Sequence, residues 1–254
     1  VLKQRSKDVA AALQSYTEKE VKNIYDQVYA KEPNDNLCLA GGIALNCVAN
    51  TRVKSKFKNI HVPPFPNDTG LAIGMVLYAH HQINGAPKVN TYFSPYLGPE
   101  YSDELVADAC RRAGMGNYVK LDLDFLVDYL CERKPIIMCR GRSESGPRAL
   151  GNRSIMCVPD MQNGRDFLNF KIKQREWYRP YAPIILDKYV DDILEDYLPE
   201  SPYMSTSGTI KEEWRDRLSA VNHVDNSTRP QILKNEHNPF MYYLIERVYE
   251  RTGI

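Results

Sequence analysis

Short apolar runs alternate with stretches of helical period through the first 83 residues, and that alternation confines the chain to an α/β layer. Val9, Ala12, Leu13, Tyr16, Val21, Ile24, Tyr25 and Val28 recur at spacings of three to five, which predicts an amphipathic helix over 8–30. Leu37-Cys38-Leu39-Ala40 and Asn59-Ile60-His61-Val62 read as short strands. Helices are expected over 44–53 and 71–83. The order helix, strand, helix, strand, helix is the texture of an α/β layer. The stretch from Gly85 to Tyr101 has little periodicity and holds three Pro and two Gly, so a domain boundary is placed between Asn90 and Ser102. Beyond it, helices are expected over 102–113, 123–133 and 164–173, and strands over 136–139, 154–158 and 182–186.

Charge is distributed unevenly. The chain of 254 residues carries a net charge of +1, which argues against a globally basic nucleic-acid binder. Between Arg140 and Arg179, however, nine Lys and Arg face four acids, a net of +5, while the remainder is net −4. Within that window, Arg140 to Arg153 places four arginines and three glycines in fourteen residues. Glycine frees backbone N–H groups to form an anion nest, and arginine offers a planar fork that fits phosphate. Lys171, Lys173, Arg175 and Arg179 follow, and lysine supplies a point charge for a leaving pyrophosphate. A solvated basic face is the bland alternative, but such a face has no use for Gly and Pro threaded between its arginines.

Three further segments have chemistry open to them. Gly41-Gly42, between a strand and the helix expected over 44–53, is either a plain turn or a place where a ligand approaches the backbone. Asp68, in Pro66-Asn67-Asp68-Thr69-Gly70, is either a helix N-cap or a carboxylate ligand for a divalent metal. His223 to Gln231 packs an imidazole, an acid, two hydroxyls and Arg229 into nine residues and is either a simple loop or part of a binding pocket. Adjacent His80 and His81 point about 100° apart on a helix and cannot share one metal. The six cysteines form no CxxC pair, no run approaches a membrane span, and no apolar segment follows Val1 to mark a signal peptide. These features lead to the expectation of a reducing, cytoplasmic setting with no membrane or nucleic-acid partner. The lack of an initiator Met leads to the expectation of a portion of a longer protein or a processed product.

These segments, in this order, resemble the nodulation-protein and antibiotic O-carbamoyltransferases. The strings that carry the resemblance are 37–50, 66–74, 96–104, 141–155, 173–183 and 223–231, and the most specific are Gly146-Pro147-Arg148-Ala149-Leu150-Gly151-Asn152-Arg153-Ser154 and Arg175-Glu176-Trp177-Tyr178-Arg179-Pro180. The resemblance implies two α/β units: residues 1–95 as the second lobe of an incomplete actin/hexokinase-like (ASKHA) carbamoyl-transfer domain, and residues 96–254 as a YrdC-like twisted-sheet domain that forms carbamoyl-adenylate. It implies an ATP-dependent O-carbamoyltransferase that joins carbamoyl phosphate and ATP, then passes the carbamoyl group to a hydroxyl of a sugar or natural product. Carried over, Arg148, Lys173 and Arg179 are the catalytic basic residues, and Gly41, Gly42, Asn46, Ser154, Ser227 and Arg229 contact nucleotide or substrate. Asp68 is a ligand of a divalent metal, Fe or Mg, shared with an N-terminal lobe supplied by the same enzyme or a partner chain. The alternatives are a protein of the tRNA threonylcarbamoyl-adenylate type and a non-catalytic nucleotide-binding subunit.

Overall fold

The computed structural model describes residues 3–87 and 93–254. The boundary segment expected over 85–101 therefore lies partly outside the described residues. The chain is mixed α/β, as its alternation predicts. Helix α1 (Gln4–Lys31) is followed by strand β1 (Asn36–Cys38), a 3-10 turn (Gly42–Leu45), α2 (Cys47–Arg52), β2 (Asn59–His61) and α3 (Leu71–Gln82). The next elements are α4 (Asp103–Arg112), α5 (Leu123–Cys131), β3 (Ile136–Cys139) and β4 (Arg153–Met156). One helical turn, α6 (Gly164–Asp166), runs directly into a π-helical stretch, Phe167–Ile172. Strand β5 (Ile184–Leu186), α7 (Val190–Ile193), β6 (Leu194–Glu195), β7 (Gly208–Ile210), β8 (Ser227–Thr228), β9 (Gln231–Leu233) and α8 (Pro239–Thr252) complete the order.

Local chemistry sets the ends of these helices. The Ser102 hydroxyl accepts from the Leu105 N–H at the start of α4, and Asn238 accepts from Met241 N–H at the start of α8. Pro239 occupies the first turn of α8, and Gly253 closes it in the left-handed region at φ 71°. Two of the expected helices differ in kind. The segment expected over 44–53 splits into a 3-10 turn and α2, because Asn46 leaves helical geometry to cap α2 through Ala49 N–H. The segment over 164–173 turns π-helical at Phe167.

The β structure is divided among small sheets. β1 pairs with β2 in parallel, β3 with β4 antiparallel, β5 with β9 in parallel, and β6, β7 and β8 form a three-stranded antiparallel sheet. Among the described residues there is no single extended twisted sheet of the expected kind. Prolines bound three strands: Pro135 precedes β3, Pro183 precedes β5 and Pro230 precedes β9. Each removes a ladder donor and stops the strand from extending there.

The largest core lies under β3, where Leu126, Val127 and Leu130 of α5 meet Met241, Leu244 and Val248 of α8. A second core surrounds β7 and β9, through Ile210 and Ile232. A third gathers Val21, Leu39, Ala49, Val53, Phe57 and Ile60 from the first eighty residues, together with Leu198 from the second half. Helix α2 is tied to the 198–207 segment: buried Asn50 donates to Ser205 O at 2.8 Å, and Thr51 Oγ1 accepts from Ser207 N–H at 2.9 Å. The apolar stripe of α1 is mostly uncovered, since only Val21 is buried while Val9, Leu13, Tyr16, Ile24 and Val28 are exposed. Helix α3 buries none of its twelve residues. None of the described helices is long and apolar enough to cross a membrane, and the six cysteines are free thiols.

Candidate functional site

The arginine-rich stretch is the connection of the β3–β4 hairpin, closed by the Cys139–Arg153 register. Several of its backbone N–H groups are taken up within the chain. The Oε1 atom of Glu144 accepts from Leu150 N–H at 2.7 Å, Asn152 N–H at 2.9 Å and Arg153 N–H at 3.2 Å. The chain's own carboxylate thus occupies the 150–153 end of the loop. Gly146, at φ 100°, lets the loop pass close to the first half of the chain; a Cβ there would lie 2.4 Å from Pro64 O.

The four arginines of this loop have different roles. Arg153 donates to the carbonyls of Arg140, Gly141 and Asn152 and so closes the hairpin. The Arg140 guanidinium lies 4.0 Å over the Phe240 ring. Arg142 is exposed. Arg148 borders a cavity, making one bond to Leu45 O at 3.3 Å.

That cavity has a volume of about 650 Å³, within the range of small-ligand sites. Its cationic wall comes from separate loops: Arg148 and Arg153 from the hairpin, Lys173 and Arg175 from the segment after the π-helical turn, and Arg229 from the turn between β8 and β9. No Asp or Glu lines it. Ser154 and Tyr181 add hydroxyls, while Leu168, Met204 and Trp214 supply apolar wall. The Arg229 Nε and the Tyr181 hydroxyl are buried without a hydrogen-bond partner among the described residues. Burial pulls the Arg229 guanidinium below its ordinary pKa, and the neighbouring Arg148 and Arg175 charges act the same way. Burial also pushes up the Cys47 thiol beside Arg229 and Arg148. Most of the lining is apolar, and its five cations with no carboxylate to offset them give it an edge that attracts negative charge.

The structure brings together Arg148, Lys173, Ser154 and Arg229 of the residues named from sequence. Arg179 does not line the cavity: it is exposed and paired with Glu176 at 3.0 Å, and a backbone hydrogen bond, then this pairing, holds the Glu176 carboxyl below its usual range. Ser227 lies outside the lining residues, in a small network in which its hydroxyl donates to Asp225 Oδ1 at 2.7 Å and lies 3.2 Å from His223 Nδ1. Gly41 and Gly42 form an exposed turn, Gly41 at φ 94° with its N–H donated to Pro66 O, and a Cβ at either would meet open space. Asn46 caps α2 and donates to Gln14 Oε1 of α1 at 3.0 Å. Arg175, named from sequence only as part of the basic run, and Tyr181, not singled out, meet here: the guanidinium of Arg175 lies 4.6 Å over the Tyr181 ring. The signal for both was their place in the Lys173–Pro183 string.

Asp68 begins a 3-10 turn (Asp68–Gly70) ahead of α3, exposed, and its side chain caps no helix. Among the described residues no three His, Cys, Asp or Glu cluster in a way that holds a metal ion. One exposed carboxylate does not fit a metal centre by itself.

Comparison with known proteins bears on the basic hairpin directly. The family model described as the carbamoyltransferase C-terminus matches residues 127–254, half of the chain and all of the cationic wall. The chain belongs to the carbamoyltransferase family. The companion model, the carbamoyltransferase N-terminus, matches residues 1–77. Among individual relatives of this carbamoyltransferase chain, an uncharacterized protein of Synechocystis sp. is 37% identical, over 97% of this chain and 45% of its own length. Nodulation protein NolO of Bradyrhizobium diazoefficiens is 32% identical, over 99% of this chain and 47% of its own length. Nodulation protein U of Rhizobium tropici is 35% identical, over 86% of this chain and 37% of its own length. The chain thus spans less than half the length of these curated relatives.

Proposed function

We propose that this chain is part of an ATP-dependent O-carbamoyltransferase whose basic cavity binds carbamoyl phosphate and ATP and joins them as carbamoyl-adenylate. One observation carries the reading: four cationic side chains, besides the Arg153 that closes the hairpin, and no carboxylate border a cavity of nucleotide size. In balanced form, water releases phosphate from carbamoyl phosphate to give carbamate, and a carbamate oxygen attacks the α-phosphorus of ATP with loss of pyrophosphate. Arg148, Arg175 and Arg229 offset charge on the reacting phosphates, while Lys173 follows the leaving pyrophosphate. The carbamoyl group then passes to a hydroxyl of a small-molecule acceptor, a sugar or natural product.

In this reading residues 96–254 are a YrdC-like adenylate-forming unit and residues 1–95 one lobe of an actin/hexokinase-like transfer domain. The complementary lobe belongs to the same enzyme or a partner chain and covers α3, whose Leu71, Met75, Val76 and Tyr78 are exposed. Asp68 would contribute one ligand to a divalent metal completed by that lobe.

The test is pyrophosphate release by the full-length protein given ATP, with and without carbamoyl phosphate. Release that depends on carbamoyl phosphate, and that falls at least a hundredfold in Arg148→Ala, is expected from the loss of one charged contact in the transition state. Release indifferent to carbamoyl phosphate, or none, overturns the reading.

A further inference from the structure

The segment from Lys173 to Pro183 carries three cations in its first seven residues and no regular secondary structure until β5. Its shape is organised by one buried amide. Asn169 is fully buried within the π-helical turn Phe167–Ile172. Its Oδ1 accepts from Arg175 Nε at 2.7 Å, and its Nδ2 donates to Trp177 O at 3.3 Å and Arg179 O at 3.0 Å. The backbone follows the same plan, since Lys173 N–H donates to Leu168 O at 2.8 Å and Arg175 N–H to Asn169 O at 2.9 Å. Between them Gln174 adopts φ 47°, a left-handed turn that swings the chain back over Asn169. Arg175 is held from the far side by its stacking on Tyr181.

We propose that Asn169 is a positioning residue for the anion cavity, acting through Arg175 and the loop that bears Lys173. This rests on the reading of the cavity as a polyanion site. All the hydrogen-bonding capacity that Asn169 uses goes to one loop, and its one side-chain partner is a cation of the cavity wall. Without the amide, the Arg175 Nε and two carbonyls lose their partner, and the guanidinium regains rotamers that point elsewhere. A π-helical turn is a common place for such a device, because its extra residue turns a side chain out of helical register.

The experiment uses the full-length protein with pyrophosphate as probe, read by calorimetry, and amide hydrogen exchange over 173–179. Asn169→Ala is expected to weaken pyrophosphate binding about tenfold, the scale of one hydrogen bond to a charged group, and to raise exchange at Lys173 and Arg175. Asn169→Asp keeps the acceptor and loses the donor, so it falls between the two; it also serves if the alanine variant does not fold. Arg175→Ala alone should weaken binding by a similar factor, and the double variant should be little worse than Arg175→Ala, because the two act as one unit. Multiplying losses in the double variant, or unchanged affinity in Asn169→Ala, overturns the inference. If the unsubstituted protein does not bind pyrophosphate, the reading of the cavity fails. The exchange data then decide the positioning role by themselves: protection lost in Asn169→Ala upholds it, and protection retained refutes it.

Discussion

Replacing Glu144 by alanine tests whether the arginine-rich hairpin is shaped from within. One carboxylate oxygen receives three backbone N–H groups, from Leu150, Asn152 and Arg153, at 2.7–3.2 Å. A net contribution of about 1 kcal/mol per bond gives about 3 kcal/mol. Sharing one oxygen, in a site only partly buried, brings this to about 2 kcal/mol. If the 254 residues unfold as one unit, their melting temperature should fall by about 4–8 °C. Glu144→Gln keeps an oxygen in place and should recover at least half of that loss. Thermal unfolding of the full-length protein, followed by circular dichroism at pH 7, gives the shifts. Pyrophosphate affinity should fall with Glu144→Ala as well, because the loosened loop carries Arg148. A melting temperature within 1 °C of the unsubstituted protein refutes the argument. A glutamine variant as damaged as the alanine variant also refutes it, since acceptor geometry would then not be the cause.

Two further outcomes are expected. Gly146→Ala combines a left-handed backbone with a Cβ placed 2.4 Å from Pro64 O, whereas Gly141→Ala, at φ 54°, meets no atom nearer than 3.5 Å. The first should therefore lose at least twice the roughly 1 kcal/mol of backbone strain expected for the second, measured by denaturant unfolding. His223 is held below its ordinary pKa by burial, which outweighs the opposing pull of Asp225 and the Tyr181 backbone, with Arg229 and Arg165 adding to it. The unfolded chain then binds this proton more readily than the folded one, so stability present above the ordinary imidazole value is lost as pH falls below it. A His223→Gln variant should flatten the fall in melting temperature between neutral pH and pH 5; an unchanged profile counts against the assignment.

Periodicity alone located much of the secondary structure. The stripe from Val9 to Val28 became α1, and the apolar run Ile136–Cys139 became β3 with its expected bounds. The 187–254 segment yielded no elements to sequence reading beyond one loop, although Met241, Leu244 and Val248 of α8 are spaced by three and four. Strands of two or three residues, such as β6 and β8, are too short to leave a period-two signal.

The sequence by itself determined where positive charge accumulates, and that Gly and Pro interrupt it, because composition and spacing are local properties of the chain. Only the tertiary structure decided which charges converge. Arg148 and Arg229 are eighty-one positions apart yet border one cavity, while Arg179, six residues from Lys173, turns to Glu176 instead. Arg140 and Arg153, alike in sequence, are taken up by Phe240 and by the hairpin's own carbonyls. A guanidinium takes whichever partner the folded backbone brings within reach, and sequence spacing does not say which that will be.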